Sequence, residues 1–217
     1  MTAGASGTQQ LCICADDFGM STVYNKEMLR AIQEGWLSSI SVMVERNIHR
    51  QRQQVEALMK LYALQKISLG LHLEVNPQED IYNQCLSQWQ KFNDITGHTP
   101  DYVDIHKDHL YKNVYDVVAA FCLDKRVPFR KYKETSVQVK SPFETLNASY
   151  LELDEVLGRI ATLKRNEPIE IVFHIGSHDE GITSSLNKER ENDMHKLQSV
   201  FKEVTTKGIR LINYKML

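Results

Sequence analysis

Short apolar segments alternate with longer amphipathic segments along most of this chain. The apolar positions predict a strand that starts at Leu11 and ends in the Asp16-Asp17 pair, followed by strands over 36–44, 67–75, 102–106, 127–132, 169–174 and 209–214. Residues at helical spacing predict helices from Ser21 or Thr22 to Gly35 and over 48–65, 81–92, 114–123, 150–164 and 187–206. Strands that alternate with helices indicate parallel pairing with right-handed crossovers.

The two faces of the predicted strands differ in polarity. In 67–75 the odd positions are all apolar, whereas the even positions carry Ser68, Gly70, His72 and Glu74. The 102–106 and 169–174 segments divide in the same way. A doubly wound sheet, the alternative, would be apolar on both faces, but a barrel with helices only outside can line its interior with small and polar groups. The pattern therefore favours a compact or distorted (β/α) barrel, similar to a TIM barrel.

Composition and charge limit the size of the fold and the kind of partner. The chain has 217 residues, of which 42% are hydrophobic and 25% charged, and this is typical of a globular protein with one substantial core. We expect residues 1–10, which are small and polar without the features of a secretory signal, to form a flexible tail, and 11–217 to form one domain. The four cysteines lack CxxC spacing and are expected to be buried thiols.

The formal net charge of -2 includes no basic tract, so nucleic acid is not an expected partner. No apolar stretch approaches the roughly 20 residues of a membrane-spanning helix. We therefore expect a soluble, cytoplasmic protein that binds a small neutral or weakly charged ligand and no membrane. The sequence leaves the oligomeric state open, a homodimer included.

Five acidic or imidazole side chains lie at the ends of predicted strands, namely Asp16, Asp17, His72, His106 and His174. In a barrel the carboxyl ends of the strands meet at one rim and form the active site, so these side chains should lie together there. One carboxylate and two imidazoles are a common ligand set for a catalytic divalent cation, and the remaining carboxylate and imidazole suit acid and base roles. The residues predict a metal-dependent hydrolase. The polar segment 133–147 is expected to be a mobile loop over the site.

Four sequence motifs resemble those of one family in the same order along the chain. They are Cys14-Ala-Asp-Asp-Phe-Gly-Met-Ser21, Leu69-Gly-Leu-His-Leu73, Val103-Asp-Ile-His106 and Val172-Phe-His174. This series resembles the YdjC-like carbohydrate deacetylases, which include the chitooligosaccharide deacetylases, and the resemblance extends from Leu11 to Tyr214. It implies a metal-dependent deacetylase on a distorted (β/α) barrel.

The resemblance also implies roles for individual residues. Asp17, His72 and His106 match the family's cation ligands, Asp16 matches its proposed general base, and His174 matches a histidine that acts as acid. The substrate class implied is N-acetylated sugars or short oligosaccharides, and the cofactor is one divalent metal ion. An Asp and two His suit Mg²⁺, Zn²⁺ and other divalent ions, so the sequence does not choose between them.

Weaker candidates and alternative functions remain open from the sequence. Asp104 lies on the same strand face as His106 and could orient an imidazole by a hydrogen bond, unless it is a solvated strand-edge carboxylate. Arg130, Arg190 and His178 could bind sugar hydroxyls or be solvated surface groups. A metal-dependent phosphoesterase is a second functional hypothesis, although no glycine-rich phosphate loop is found. A non-catalytic sugar-binding protein is a third.

Overall fold

Parallel strands and helices alternate through the computed structural model, which describes residues 8–46, 48–65, 67–141, 143–165 and 167–216. The elements in chain order are β1 (Gln10–Phe18), α1 (Thr22–Gln33), β2 (Ser39–Val42), α2 (Arg52–Gln65), β3 (Ser68–Leu73), α3 (Ile81–Thr96), β4 (Tyr102–Ile105), α4 (Tyr115–Lys125), β5 (Glu144–Asn147), α5 (Leu153–Ala161), β6 (Ile169–Phe173), α6 (Arg190–Lys207) and β7 (Arg210–Leu211). Most of the predicted tail, residues 1–7, lies outside the described residues, and β1 begins at Gln10.

One sheet contains all of these strands, in the order β4-β3-β2-β1-β6-β5, with β7 beside the start of β1. Every strand pair is parallel. Tyr102 of β4 and Glu170 of β6 are four strands apart, which is about 19 Å in a flat sheet. Both nevertheless contact Tyr214, since its ring centroid lies 3.9 Å from that of Tyr102 and its hydroxyl donates to Glu170 at 3.0 Å. The sheet is therefore curled into an incomplete, distorted barrel, which confirms the predicted fold class.

The curl separates two hydrophobic clusters. The larger lies between the sheet and the helices and includes the odd positions of β3, Leu69, Leu71 and Leu73. The smaller fills the interior of the barrel and consists of Cys12, Cys14, Tyr102, Phe143, Val172, Ile212 and Tyr214. Gly70 makes room for this interior, because a Cβ at that position would lie 2.2 Å from the Tyr102 ring. All four cysteines are buried and free, as the sequence predicts.

Two predictions between β4 and β6 are wrong. The strand expected over 127–132 is reduced to one bridge between Phe129 and Val103, because Pro128 has no amide hydrogen for a ladder and a 3-10 turn begins at Tyr132. The expected loop 133–147 ends in β5, which pairs with β6. Its four residues are polar or only half-buried, so they carry no apolar strand pattern. Among the described residues, no helix is both long and apolar enough to cross a membrane.

Candidate active site

The carboxyl ends of β1, β3, β4 and β6 surround a pocket of about 400 Å³. Asp16, Asp17, His72, His106 and His174 all line it. The parallel strands explain why these five residues meet, since the last inward-facing residues of each strand lie at the same rim of the barrel. The structure thus brings together the five residues that the sequence places at strand ends.

Three of these side chains converge on one point. His72 Nε2 lies 3.2 Å from Asp17 Oδ1, and His106 Nδ1 lies 3.1 Å from the same oxygen. The two histidine nitrogens are 3.3 Å apart. Asp17, His72 and His106 therefore form a triangle of ligand atoms, which we call the cation cluster.

A local irregularity in β1 turns Asp17 toward the histidines. The register between β1 and β2 shifts between Ala15 and Phe18, and Asp17 has a φ of 75°, in the left-handed region that non-glycine residues rarely adopt. Asp16 and Asp17 consequently both face the pocket, although neighbouring residues of a regular strand point to opposite faces. Such backbone conformations cost free energy and are concentrated at functional sites.

The geometry and charge of the cation cluster suit a divalent cation. Bonds of about 2.0–2.2 Å from one ion place neighbouring ligand atoms roughly 3–3.5 Å apart, and the three observed separations fall in this range. Burial disfavours a charged His72 ring, but the carboxylates of Asp104 and Asp16 overcome this and raise its pKa well above the usual value. The surroundings therefore favour positive charge at His72 Nε2, which a proton or a metal ion can supply.

A second group of possible ligands, Asp16, His72 and Asp104, is a poorer place for a cation. The Nη1 atom of Arg130 contacts both carboxylates, at 2.7 Å from Asp16 Oδ2 and in a close ion pair with Asp104 Oδ2. Their charge is already compensated, and an added cation would face the guanidinium. His72 also directs Nδ1 at Asp104 Oδ1, 2.9 Å away, which leaves Nε2 for the cation cluster.

Arg130 joins three buried carboxylates beneath the pocket, an arrangement we call the arginine hub. Its Nη atoms contact both oxygens of Asp16, and its Nε lies 3.0 Å from Glu170 Oε2. Asp104 completes the set and also accepts a hydrogen bond of 2.7 Å from Ser41. Burial alone would raise the pKa of Asp16, but the Arg130 charge holds it below the usual range, so Asp16 is an anion at neutral pH.

His174, which follows β6 at the pocket, is held by a chain of hydrogen bonds. Its Nδ1 lies 2.9 Å from Ser149 Oγ, and that hydroxyl donates its only proton to Asp193 Oδ2 in a short hydrogen bond. Ser149 Oγ must therefore accept from His174 Nδ1–H, and Nε2 is left without a proton. Burial lowers the pKa of His174 despite the nearby carboxylates, which is consistent with a neutral ring. Asp193 also accepts the backbone amide of His174 at 3.0 Å.

The weaker candidates lie in different places. Arg130 lines the pocket but is 94% buried. Its guanidinium therefore contacts buried carboxylates and has little contact with solvent. Arg190 is fully buried and pairs with Asp17, which excludes direct contact with a sugar in this conformation. His178 is exposed and is not among the residues that line the pocket.

Sequence reasoning missed three residues of this site. Glu170 could have been found from the sequence, because it shares the inward face of β6 with Val172 and His174. A carboxylate buried there requires a partner, which marks it as part of the site. No sequence pattern indicates Ser149 or Asp193, since a 3-10 turn and α6 bring them to His174 from distant parts of the chain.

Comparisons with known proteins agree with the fold and the motifs. Residues 10–79 match the family model described as YdjC-like protein. A carbohydrate deacetylase of Clostridium beijerinckii is 25% identical to the chain, over 95% of this chain and 99% of that protein. A chitooligosaccharide deacetylase of Klebsiella pneumoniae is 21% identical, but the match covers only 59% of this chain and 61% of that protein.

A solved structure shares the fold along nearly the whole chain. It comes from Enterococcus faecalis V583 and is provisionally described as a cellobiose-phosphate cleavage protein. The TM-score is 0.75 at 20% identity, and the alignment covers 96% of this chain and 98% of the other. Together with the family match over β1 to β3, these similarities show that the chain resembles YdjC-like proteins and carbohydrate deacetylases in sequence and shares its fold with the solved structure.

Proposed function

We propose that this protein is a cation-dependent hydrolase that removes acetyl groups from N-acetylated sugars or short oligosaccharides. The convergence of Asp17, His72 and His106 on one point is the observation that carries the proposal. The names of the deacetylases from Clostridium beijerinckii and Klebsiella pneumoniae support the substrate class.

The cation cluster would hold one divalent ion. Such an ion polarises a carbonyl oxygen and lowers the pKa of water, and both effects help to hydrolyse an unreactive acetamide. Asp104 accepts from His72 Nδ1, which fixes the ring with Nε2 toward Asp17 and His106. The choice between Mg²⁺, Zn²⁺ and other ions stays open.

Asp16 would accept the proton of the attacking water. It lines the pocket next to the cation cluster but is not part of that cluster. Arg130 contacts both of its oxygens, so the carboxylate is fixed in orientation and stays ionised until the reaction supplies a proton. A fixed carboxylate beside the reacting water is suited to general base catalysis.

His174 would protonate the leaving amine through Nε2, after that atom has received the proton that Asp16 removes from the attacking water. Because Nδ1–H is committed to Ser149, only Nε2 can exchange a proton with the pocket. A proton on Nε2 makes the ring a cation, and Asp193 stabilises that cation through Ser149. The amine that is expelled needs this proton, because an amide anion is a very poor leaving group.

The rim of the pocket offers a surface for a sugar ring. Tyr150 lines the pocket and is 64% exposed, and its ring stands edge-on to His109 with centroids 6.4 Å apart. Leu110 is also exposed on this rim. An exposed aromatic ring beside a polar pocket suits the apolar face of a pyranose, while the polar lining suits its hydroxyls.

We expect Tyr150→Ala to raise KM for an acetylated sugar by about 3- to 15-fold and to change kcat little, because the ring binds ground state and transition state alike. Tyr150→Phe keeps the ring and should resemble the unaltered protein. Steady-state kinetics on both variants check this. A large fall in kcat with unchanged KM in Tyr150→Ala would contradict a binding role.

Acetate release tests the proposed function. The purified protein is incubated with N-acetylglucosamine and its short oligomers, and acetate and bound metal are measured on the same sample. We expect acetate release that a chelator abolishes and that one divalent ion restores. No acetate from any of these substrates, with metal bound, would overturn the proposal. Phosphate release from a phosphomonoester would then favour the phosphoesterase, and sugar binding without any turnover would favour the non-catalytic alternative.

A further inference from the structure

Arg190 is a buried cation whose charge is compensated by one carboxylate of the cation cluster. This first residue of α6 has no exposed surface, and its Nη2 lies 2.5 Å from Asp17 Oδ2. Its Nε and Nη1 have no hydrogen-bond partner among the described residues. The guanidinium carbon lies 3.9 Å from the centroid of the Tyr24 ring. A charge this deeply buried acts strongly on its neighbours.

The guanidinium is held firmly against Asp17. Tyr24 is itself fixed, because its hydroxyl donates to Asn187 Oδ1 at 2.7 Å. Gly176 lies against both side chains, since a Cβ there would be 2.6 Å from Tyr24 and 3.3 Å from the Arg190 side chain. Arg190 therefore has little freedom to leave Asp17.

The two oxygens of Asp17 have different partners. Oδ1 faces His72 and His106, whereas Oδ2 faces Arg190. A carboxylate whose second oxygen is bound by a guanidinium can offer a cation only one oxygen. The left-handed backbone conformation of Asp17 directs its side chain into the space between these partners.

We propose that Arg190 is a positioning residue that restricts Asp17 to one-oxygen ligation and weakens cation binding at the cluster. This inference rests on the proposed function, because it assumes that the cation lies between Asp17, His72 and His106. The restriction leaves a coordination position open, and catalytic sites need such positions for water and substrate. Cation binding is weaker because the positive charge of Arg190 repels the ion.

Two effects of Arg190 on cation affinity oppose each other. The guanidinium orders Asp17, which favours binding, and it repels a divalent ion, which disfavours binding. Repulsion between buried charges is large, whereas ordering one short side chain contributes little. Loss of the charge should therefore strengthen cation binding.

Cobalt binding to the metal-stripped chain tests this without measuring activity. Six-coordinate Co²⁺ absorbs visible light more weakly than four- or five-coordinate Co²⁺, so absorption reports the coordination number while calorimetry gives Kd. We expect Arg190→Gln to bind Co²⁺ at least about tenfold more tightly, with weaker absorption for each bound ion. If the glutamine variant does not fold, Arg190→Met replaces it, because methionine fills the space against Tyr24 without buried donors.

Two further variants separate the charge from general structural effects. Arg190→Lys keeps a positive charge and should bind Co²⁺ within about threefold of the unaltered protein. Arg46→Gln removes an arginine that pairs with Glu74 away from the pocket, so its Kd should not change. Unchanged or weaker Co²⁺ binding in Arg190→Gln would overturn this inference and leave the proposed function intact. If the unaltered chain binds no Co²⁺, the cation cluster and this inference are both wrong.

Discussion

Asp16→Asn should lower kcat by about 10²–10⁴-fold while the protein keeps its cation. The amide cannot accept a proton from water, so the proposed base is lost. Asp16 is not one of the three residues of the cation cluster, and the ligand atoms of Asp17, His72 and His106 stay in place. Metal content and steady-state kinetics on the same preparation check both parts of this prediction.

This variant also distinguishes the two possible cation sites. If the ion lay between Asp16, His72 and Asp104, Asp16→Asn would lose it. Asp108→Asn is a matched control, because Asp108 also lines the pocket but pairs with Lys131 at the rim, 2.8 Å away. We expect the control to keep its turnover. Turnover near that of the unaltered protein in Asp16→Asn would show that another group is the base.

Removal of either histidine of the cation cluster should abolish both cation binding and activity. Two ligands remain in His72→Ala or His106→Ala, and the effect of the ion on the reaction is worth several kcal/mol, so we expect kcat/KM to fall by about 10³-fold or more. His106→Ala is the cleaner of the two because its ring is partly exposed, whereas His72 is buried against Asp104. Metal content after dialysis and acetate release are the measurements.

His109→Ala is the matched control for these histidine variants. His109 follows the same strand and lines the same pocket, but its side chain is half-exposed and takes no part in the cation cluster. It should keep both metal and turnover. A His106→Ala protein that retained one equivalent of tightly bound ion would show that the ligand set has been wrongly assigned.

The alternation of residue types predicted the fold where one face of a strand is apolar and the other is not. β3 has this pattern throughout, and the structure buries its apolar positions against helices and its polar positions inside the barrel. The prediction fails between Val127 and Asn147 because pairing there is short and local. Phe129 bridges β4 at one residue, and β5 depends on β6 rather than on its own composition.

The sequence predicted which residues meet at the pocket better than it predicted what holds them. Asp17, His72 and His106 each end a parallel strand, so topology brings them to one rim, and the irregularity in β1 then turns Asp17 toward the two histidines. The residues that hold these side chains in place could not be predicted in this way. Ser149 and Asp193 reach His174 from a turn and a helix, and the reach of Arg130 to Glu170 depends on the curl of the sheet. Such contacts depend on the packing of distant elements, which local patterns do not report.

The arginine hub limits how this protein could lose the proposed activity during evolution. Replacing Arg130 by a neutral residue would leave Asp16, Asp104 and Glu170 buried without a counter-charge, so the barrel itself would be damaged. Changes at Asp16 or His174 would remove only a proposed proton-transfer group. Inactive descendants should therefore keep this arginine and differ at the pocket surface, so an arginine at this position in a related sequence does not by itself indicate catalysis.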